Sequence, residues 1–347
     1  MTPKVSVVMP VYNVQHFVKS AIESVLSQSF TNFELILIND CSTDQSLEIC
    51  QTIHDSRVRI VNHEVNKGLA AARNTGIRNA IGNYIAFIDS DDMWHKDKLK
   101  LHVEHLDTSP EVGLSFSRSS FMDHEGKKID YYQMPQLTGI AAVDLLCRNP
   151  VGNGSAPVIR SETLHDIGFQ ALNHPEQHNS YFDEDFRQSE DIECWLRIVA
   201  TTHWKMEGIP APLTYYRLNQ QGLSSNIIKQ LGSWESMITK AKLYAPELLA
   251  EHEHNARAYQ LRYLARQSIR NGKGEVAISL INRAINESPS IMLQETARTS
   301  VTLVAAYLLW LLPSPAYKVC EKIGQFFMGL IQKNRISKDG VESSMLS

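Results

Sequence analysis

Short apolar strands alternate with amphipathic helical segments along the first quarter of this chain, and this alternation restricts its fold more than any other feature. Four runs rich in β-branched and aromatic residues have the character of buried strands, at residues 5–9, 33–38, 58–61 and 84–88. Segments with helical character separate them, at residues 17–26, 46–53 and 69–80. Repeated strand–helix–strand units form a mostly parallel, doubly wound sheet of the Rossmann-like type. We therefore predict an α/β fold for the N-terminal part of the chain.

Polar and acidic segments follow three of the four strands. They lie at residues 10–13, 39–44 and 89–92. In an open parallel sheet, ligands bind beyond the carboxyl ends of the strands, so we expect these segments to meet at one edge. Three such loops at one edge predict a binding site there.

The segment at residues 89–92 carries three carboxylates, those of Asp89, Asp91 and Asp92. Carboxylates this close raise each other's pKa unless a cation is shared between them. Mg²⁺ takes one or two protein carboxylates and completes its shell with phosphate oxygens and water. The spacing therefore favours a metal–diphosphate site. The alternative is a solvated turn in which Asp92 caps the next helix.

Four other side chains have both a functional and a structural interpretation. Asp40 ends the second strand, where it could accept from a nucleobase N–H or a ribose hydroxyl, or only from its own turn. Arg73, in a helix that begins after a glycine, could face a phosphate or lie solvated at the surface. Asp191 at the start of an amphipathic helix could be a general base or stabilise the helix N-terminus. Trp94 could stack on a sugar ring or pack in the core.

Composition and charge exclude several classes of protein. The net charge is -4, and no dense run of Lys or Arg precedes the C-terminal region, which argues against nucleic acid as a partner. The five cysteines are scattered without CxxC spacing, which argues against a disulfide framework or a zinc site. Free thiols and the lack of a signal peptide before the first strand predict a cytoplasmic protein.

The last third of the sequence changes character and predicts an all-helical extension. Helical segments separated by Gly and Pro form a hairpin over residues 226–290. Residues 301–312 contain no charge but are too few to span a bilayer, and residues 317–331 form an amphipathic helix with basic flanks. Such helices can lie in a membrane interface, and the alternative is packing in a soluble helical core. The hypothesis of peripheral membrane attachment is the one we carry forward.

The order and spacing of these motifs resemble those of the family-2 glycosyltransferases, which have the GT-A fold. The resemblance covers about residues 4–225. The segments that carry it lie at residues 8–13, 39–44, 66–76, 89–92, 189–191 and 216–217, with Ser224 and Ser225 following. One departure is Asn39, where many members of the family carry Asp, and it affects the nucleotide preference rather than the class.

The resemblance implies a nucleoside diphosphate-sugar donor, most often a UDP-sugar, and a divalent cation, Mn²⁺ or Mg²⁺. The nucleotide-binding residues that it implies are Pro10, Tyr12, Asp40, Arg73 and Asp89. The metal would be held by Asp91, together with Asp89 if that side chain is not on the ribose. Glu190 would contact the acceptor or donor sugar, and Trp94 is our candidate for stacking on it.

The resemblance also implies the reaction. Asp191 would remove the proton from an acceptor hydroxyl in a single displacement that inverts the anomeric configuration. The expected acceptor is a glycan, linked to a lipid in the cytoplasmic leaflet, in surface polysaccharide biosynthesis. A nucleotidyltransferase is the alternative enzyme, but it would carry a Gly-rich basic loop after the first strand, which residues 11–14 lack. A non-catalytic glycan-binding or membrane scaffold protein is the non-enzymatic alternative.

The predicted domains follow from these boundaries. They are a GT-A catalytic domain at 1–225, a helical hairpin region at 226–290, membrane-associating helices at 291–336 and a disordered tail at 337–347.

Overall fold

The computed structural model describes residues 2–170, 178–218 and 227–341. The chain divides into two compact units. The first unit comprises Met1–Ile140, Pro150–Asn219 and Ile331–Ser347, and the second comprises Ala141–Asn149 and Gln220–Leu330. Ser224 and Ser225, which contributed to the family resemblance, lie outside the described residues, as do residues 342–347 of the predicted tail.

A mixed β-sheet forms the centre of the first unit. Its strands are β1 (Val5–Val11), β2 (Phe33–Asn39), β3 (Val58–Asn62), β4 (Tyr84–Phe87), β5 (Met93–Trp94), β6 (Val112–Met122), β7 (Lys128–Gln133), β8 (Val158–Arg160) and β11 (Lys205–Arg217). Within the described part of the chain their order is β3-β2-β1-β4-β8-β6-β11-β5, with β7 paired to β6. Two short strands, β9 (Phe169–Gln170) and β10 (Asn179–Ser180), form a separate antiparallel pair.

The helices divide between the two units. The first unit contains α1 (Val18–Leu26), α2 (Ser46–Gln51), α3 (Leu69–Asn79), α4 (Lys98–Thr108), α6 (Ser161–Asp166) and α7 (Glu190–Thr201). The second contains α5 (Ala142–Cys147), α8 (Ile227–Tyr244), α9 (Pro246–Arg270), α10 (Gly274–Glu287), α11 (Ile291–Gln294) and α12 (Thr296–Leu311). The last helix, α13 (Ser314–Lys338), begins in the second unit and ends in the first.

The predicted parallel sheet is present in one half of the observed one. Strands β3, β2, β1 and β4 pair in parallel, and β1, β2 and β4 are buried along nearly all their length, which explains their continuous apolar sequences. Beyond β4 the sheet becomes mixed, because β8 is antiparallel to both β4 and β6. The α/β fold with a C-terminal helical region is confirmed.

Strand register brings the polar segments of the first unit to one edge. Val11 pairs with Asn39, and Asn39 pairs with Asn62. Strand β4 lies on the other side of β1, with Val8 opposite Phe87. Tyr12, Asp40 and the acidic residues after β4 therefore follow neighbouring strand ends, as the sequence predicted.

The second unit is helical and has its own core. Pro246 begins α9, at the first helical position where its missing N–H costs nothing. The core side chains come from α9, α10 and α12, and they are Leu261, Leu264, Ala265, Ala277, Leu280, Ile281, Ala284 and Ala306. No helix in the described part of the chain is long and apolar enough to cross a membrane.

Helices α12 and α13 leave many large apolar side chains exposed. On α12 they are Val301, Val304, Tyr307, Trp310 and Leu311, and on α13 they are Val319, Ile323, Phe326, Phe327, Met328, Leu330 and Ile331. Isolated exposed apolar residues are ordinary, whereas a concentration of them on a surface is typical of sites that bind a protein, a ligand or a membrane.

The C-terminal end of α13 is held within the first unit. Ile336 is buried, the Tyr132 N–H donates to Gln332 Oε1, and Asp339 pairs with the buried Arg118. The prediction of a disordered tail from residue 337 is therefore wrong for its first three residues. Ser337 and Lys338 are helical, and Asp339 has a buried partner.

Candidate functional site

The acidic turn after β4 is fastened to two distant parts of the first unit by Asp92. This side chain is buried, and its two oxygens accept from Ser155 Oγ at 2.6 Å and from the Arg217 N–H at 2.9 Å. Arg217, at the end of β11, also donates from Nε to the Asp91 carbonyl at 2.7 Å. Asp92 is therefore a structural anchor that presents the other two carboxylates, rather than the cap of a following helix.

Asp91 has the opposite environment. Its side chain is half-buried, and no other residue in the described ranges donates a hydrogen bond to its carboxylate. Burial, and then repulsion from Asp89, raises the pKa of Asp91 to about 6. A carboxylate in this position gains from a bound cation.

The residues around the turn fit a divalent ion bound together with a diphosphate. Within the described residues, no group of three or more His, Cys, Asp or Glu side chains could hold a metal by itself. Mg²⁺ and Mn²⁺ do not need such a cage, because phosphate oxygens and water complete a shell begun by one or two carboxylates. Asp91 and the second oxygen of Asp89 are the hard donors that such an ion prefers.

Arg73 joins the acidic turn to the start of α7. The residue is only 2% exposed, and its guanidinium donates from Nη2 to Asp89 at 2.9 Å and from Nη1 to Glu190 at 2.7 Å. These carboxylates hold Arg73 charged although it is buried, because a buried charge is stable only when it is paired. Contact with the nucleotide stays a prediction for Arg73, whose observed partners are both in the protein.

Gly154 is required by this arrangement. A Cβ atom at this position would lie 2.2 Å from Arg73 Nη2 and 2.9 Å from Asp89 Oδ2. The preceding residue, Asn153, and the following one, Ser155, are both buried and bonded, so the backbone of this turn cannot easily move away. Only glycine fits against the ion pair without displacing it.

Glu190 and Asp191 differ although they are adjacent at the start of α7. Glu190 is buried against Arg73, and burial, which outweighs the attraction of Arg73, raises its pKa to about 7. Asp191 is partly exposed, and its Oδ1 accepts only from the Ile192 N–H at 2.8 Å among the described hydrogen bonds. Burial also raises the pKa of Asp191, against the opposing effect of Arg73. Asp191 is therefore the more accessible base of the two.

Asp40 forms the other end of the site, beside Tyr12. Its carboxylate accepts from the N–H groups of Lys67 and Gly68, both at 2.8 Å, and lies 2.7 Å from His63 Nδ1. Burial opposes ionisation of Asp40, but the hydrogen bonds from His63, Lys67 and Gly68 outweigh it and lower its pKa. Tyr12 is 47% exposed and lies at the adjacent strand end, so its side chain is accessible to a ligand.

Two further residues singled out from the sequence, Pro10 and Asn39, have partners within the protein. Pro10 is buried inside β1 opposite Ile38, and its contact with a nucleoside stays a prediction. Asn39 donates to Asn62 Oδ1 at 3.0 Å and accepts from the Ser42 N–H at 3.1 Å. An aspartate at position 39 could not donate the first of these bonds, which gives the departure from the family pattern a local reason.

The prediction that Trp94 stacks on a sugar is wrong. Its side chain is 3% exposed, the indole N–H donates to the Ser155 carbonyl at 3.0 Å, and Lys98 Nζ lies 5.2 Å from the ring centroid. The ring is therefore a support beneath the turn at residues 153–156. The sequence places Trp94 directly after an acidic cluster but does not indicate which way its ring points. The orientation of the ring depends on how β5 pairs with β11.

Three residues of the site escaped assignment from the sequence. Ser155 and Arg217 hold the acidic turn through Asp92, and His63 contacts Asp40. A usable signal existed for His63, which directly follows β3 at the same edge of the sheet as Asp40. No local signal marks Ser155, because its partner is 63 residues away.

Comparison with known sequences gives a consistent set of relatives. The profile described as Glycosyl transferase family 2 matches residues 6–168. The putative teichuronic acid biosynthesis glycosyltransferase TuaG of Bacillus subtilis is 32% identical over 65% of this chain and 82% of its own length. An Escherichia coli protein, UDP-Glc:alpha-D-GlcNAc-diphosphoundecaprenol beta-1,3-glucosyltransferase WfgD, is 31% identical over 65% of this chain and 82% of its own. An uncharacterized glycosyltransferase of Rickettsia felis is 36% identical, but this chain spans only 33% of its length.

Solved structures agree on the fold. The mannosyltransferase PcManGT from Pyrobaculum calidifontis, in complex with GDP-Man and Mn²⁺, superposes with a TM-score of 0.55 at 19% identity, covering 89% of this chain and 87% of that one. TarS 1-349 of S. aureus in complex with UDP-GlcNAc gives 0.53 at 18% identity, covering 87% and 79%. These likenesses confirm the GT-A-type fold.

Proposed function

Because this chain belongs to glycosyl transferase family 2, we propose that it transfers a sugar from a UDP-sugar to a hydroxyl of a lipid-linked glycan in surface polysaccharide biosynthesis. Glycosyltransferase activity follows the family and its curated relatives. The donor is supported by TarS, whose structure holds UDP-GlcNAc, and by WfgD, whose name specifies UDP-Glc. The lipid-linked acceptor is supported by WfgD, whose name specifies a diphosphoundecaprenol.

One observation carries the proposal. Arg73 joins Asp89 of the acidic turn to Glu190 at the start of α7, 117 residues farther along the chain than Arg73. This pairing brings a carboxylate suited to a metal–diphosphate and a partly exposed base, Asp191, to the same edge of the sheet. Nucleophile activation and leaving-group stabilisation need these two groups close together.

Asp91, with Asp89, would hold a Mn²⁺ or Mg²⁺ ion, which when bound neutralises the charge that grows on the departing diphosphate. The presence of Mn²⁺ with GDP-Man in the Pyrobaculum structure supports this assignment. The nucleoside would lie at the ends of β1 and β2, with the exposed Tyr12 ring beside the base and Asp40 accepting a hydrogen bond from it. Arg73 would stay within the protein and set the orientation of Asp89.

In the transfer step, Asp191 accepts the proton of the acceptor hydroxyl as its oxygen attacks the anomeric carbon. The bond from that carbon to the diphosphate oxygen breaks in the same step, so the configuration inverts. A partly buried carboxylate with a raised pKa is a stronger base than a solvated one. Glu190, neutral or ionised beside Arg73, keeps the start of α7 in place, and its contact with a sugar hydroxyl remains part of the proposal.

The exposed apolar surface of α12 and α13 supports attachment to an anionic bilayer, on the cytoplasmic face where the acceptor would be presented. The sequence of α13 carries five basic residues and one acidic residue, and it exposes Phe326 and Phe327 by 64% and 59%. Apolar side chains that enter the interface, with basic residues beside anionic headgroups, are typical of helices that lie in the membrane plane.

The catalytic part of the proposal is tested by turnover. Purified protein is incubated with a panel of nucleotide-sugars and a synthetic N-acetylglucosaminyl diphospholipid, with Mn²⁺, Mg²⁺ or EDTA. We expect metal-dependent nucleoside diphosphate release from one UDP-sugar and a product whose anomeric configuration, measured by NMR, is opposite to that of the donor. Retention of configuration, or undiminished turnover in EDTA, would overturn the corresponding part of the proposal. Absence of both turnover and donor binding across the panel would favour a non-catalytic protein.

The membrane part is tested separately by vesicle flotation. Phosphatidylcholine vesicles with and without phosphatidylglycerol are mixed with the wild-type chain, with a Phe326→Ser/Phe327→Ser variant and with Leu243→Ser. Leu243 is 84% exposed on α8, so its variant removes an exposed apolar side chain outside α12 and α13. We expect flotation with anionic vesicles that only the double variant loses. Equal flotation of all three proteins, or none, would contradict the membrane assignment without affecting the catalytic one.

A further inference from the structure

Two buried side chains meet at neighbouring strand ends beside the proposed nucleoside position. Asp40 follows β2 and His63 follows β3, and the His63 N–H donates to the Asn39 carbonyl at 2.9 Å. His63 Nδ1 lies 2.7 Å from Asp40 Oδ1, and Nε2 lies 2.9 Å from Thr75 Oγ1 on α3. Both side chains are at most 5% exposed. His63 therefore has a bonded partner on each ring nitrogen.

The hydrogen-bond partners define which ring nitrogen faces Asp40 as a donor. An ionised carboxylate can only accept, so Nδ1 donates to Asp40. Thr75 Oγ1 accepts from Arg78 Nη2 at 3.0 Å and can donate its own proton to His63 Nε2. An imidazole with a proton on Nδ1 satisfies Asp40 and can also bond Thr75.

The same accounting leaves one acceptor position on Asp40. Oδ1 already accepts from His63 and from the Lys67 N–H, whereas Oδ2 accepts only from the Gly68 N–H. Each carboxylate oxygen can accept two hydrogen bonds, so Oδ2 has room for one more donor. Uracil N3 and guanine N1 carry hydrogens, whereas cytosine N3 and adenine N1 are acceptors. A fixed, ionised Asp40 therefore distinguishes bases that donate at this ring position from bases that accept.

We infer that His63 is a positioning residue for nucleobase selection, which fixes the Asp40 carboxylate so that Oδ2 accepts from the N3–H of uracil and repels cytosine. This inference rests on the proposed function, in which the nucleoside lies against Asp40. Without the imidazole, Oδ1 keeps only the Lys67 N–H and Oδ2 only the Gly68 N–H, so the carboxylate is held less firmly and takes up a proton more easily. A protonated Asp40 would donate to cytosine, so selectivity falls as well as affinity.

The experiment measures the dissociation constants of UDP and CDP by calorimetry on the full chain, in Mg²⁺, together with kcat and the donor KM. The variants are His63→Asn, whose amide replaces the Nδ1 donor, and His63→Gln, whose amide reaches the Nε2 position and leaves Asp40 without that donor. His102→Asn is the matched control, because His102 is another buried histidine of the first unit, bonded to Ser115 and distant in sequence from the strand ends.

We expect His63→Gln to weaken UDP binding by about tenfold, the size of one hydrogen bond to a charged group, with a smaller change for CDP. The donor KM rises by the same factor, and kcat at saturating donor stays within about twofold, because the reacting atoms are untouched. His63→Asn stays within about threefold of wild type for UDP. A purely structural role would instead lower kcat and thermal stability together, and His102→Asn shows how large that effect is.

Equal UDP-to-CDP ratios in the wild type and His63→Gln, or equal losses in the Asn and Gln variants, would overturn the inference. The variant Asp40→Asn distinguishes failure of the inference about His63 from failure of the proposed function. If Asp40→Asn leaves UDP affinity unchanged, the nucleoside does not lie against Asp40 and the proposed donor site is wrong. If Asp40→Asn weakens UDP binding and His63→Gln does not, only the role of His63 is wrong.

Discussion

Asp40 and Asp91 are both carboxylates at strand ends of the same sheet, but their surroundings are opposite. Asp40 is bonded to two backbone N–H groups and an imidazole, and its pKa is lowered. Asp91 receives no hydrogen bond from another described residue, and its pKa is raised to about 6 by burial and by Asp89. The proposed nucleoside end of the site is thus satisfied by the protein's own donors, whereas the proposed diphosphate end carries a carboxylate that a cation would stabilise. Substitutions at the two ends should consequently impair activity in different ways.

The largest effect is expected from Asp191→Asn. The amide keeps the size of the side chain but cannot take the proton of the acceptor hydroxyl, so kcat should fall by about 10³-fold. Donor affinity should change little, because Asp191 belongs to neither end of the nucleotide site. Turnover assays and UDP calorimetry measure the two quantities. A similar fall with Glu190→Gln and little change with Asp191→Asn would exchange the roles of these residues.

Asp91→Asn should lower kcat/KM by about 10²-fold and weaken the response to metal, because one hard ligand of the proposed ion is lost. Titration of activity with Mn²⁺ gives the apparent metal affinity. In contrast, Asp40→Asn should raise the donor KM and leave the Mn²⁺ titration unchanged. An identical Mn²⁺ response for the wild type and Asp91→Asn would remove Asp91 from the metal site and undo the contrast between the two ends.

Gly154→Ala should lower kcat by about tenfold or more. The added methyl group would overlap Arg73 Nη2 and crowd Asp89, so the ion pair must shift, at a cost of about 1–3 kcal/mol in the free energy of unfolding. Thermal unfolding and turnover are measured on the same preparation. Gly139→Ala is the comparison at a glycine with no neighbour within 4 Å, although its positive φ makes it strained as well. Unchanged kcat in Gly154→Ala would show that the pairing of Arg73 is dispensable.

The pH profile of kcat/KM should have an acid limb above the ordinary aspartate pKa of 3.8, because burial raises the pKa of Asp191. The base is active when deprotonated, so activity falls as pH decreases through this raised pKa, by about tenfold per pH unit. Glu190, whose pKa burial raises to about 7, is in the same cluster and broadens the limb. In Asp191→Asn, the residual activity should no longer show the part of the acid limb that comes from Asp191. An unchanged profile in this variant would show that another group causes the acid limb.

The smallest effect is expected from Trp94→Phe. Loss of the indole N–H removes one hydrogen bond to the Ser155 carbonyl and should lower the free energy of unfolding by about 1 kcal/mol. Because the ring is buried, the KM for acceptor should stay within about twofold. A large rise in acceptor KM without loss of stability would restore the sugar-stacking hypothesis that the structure contradicts.

Much of this protein could be predicted from local sequence. The apolar runs that became β1 to β4, the helix around Arg73 and the acidic residues after β4 are patterns contained in short windows, and the structure contains them with shifts of one or two residues at the ends. The position of Asp40 beside Tyr12 also follows from sequence, because parallel strands place successive strand ends at one edge. Local periodicity and the geometry of strand–helix units are sufficient for these conclusions.

Other features required the tertiary structure, since their partners are far apart in sequence. No window reveals that Arg73 pairs with Glu190, that Ser155 holds Asp92, or that the Trp94 ring is turned into the core. The same holds for β8, whose antiparallel position between β4 and β6 makes the sheet mixed. Residue types and periodicity determined which groups could do chemistry here. Packing decided which of them are buried, paired or left for a ligand, because the energy of a charge depends on what surrounds it in space.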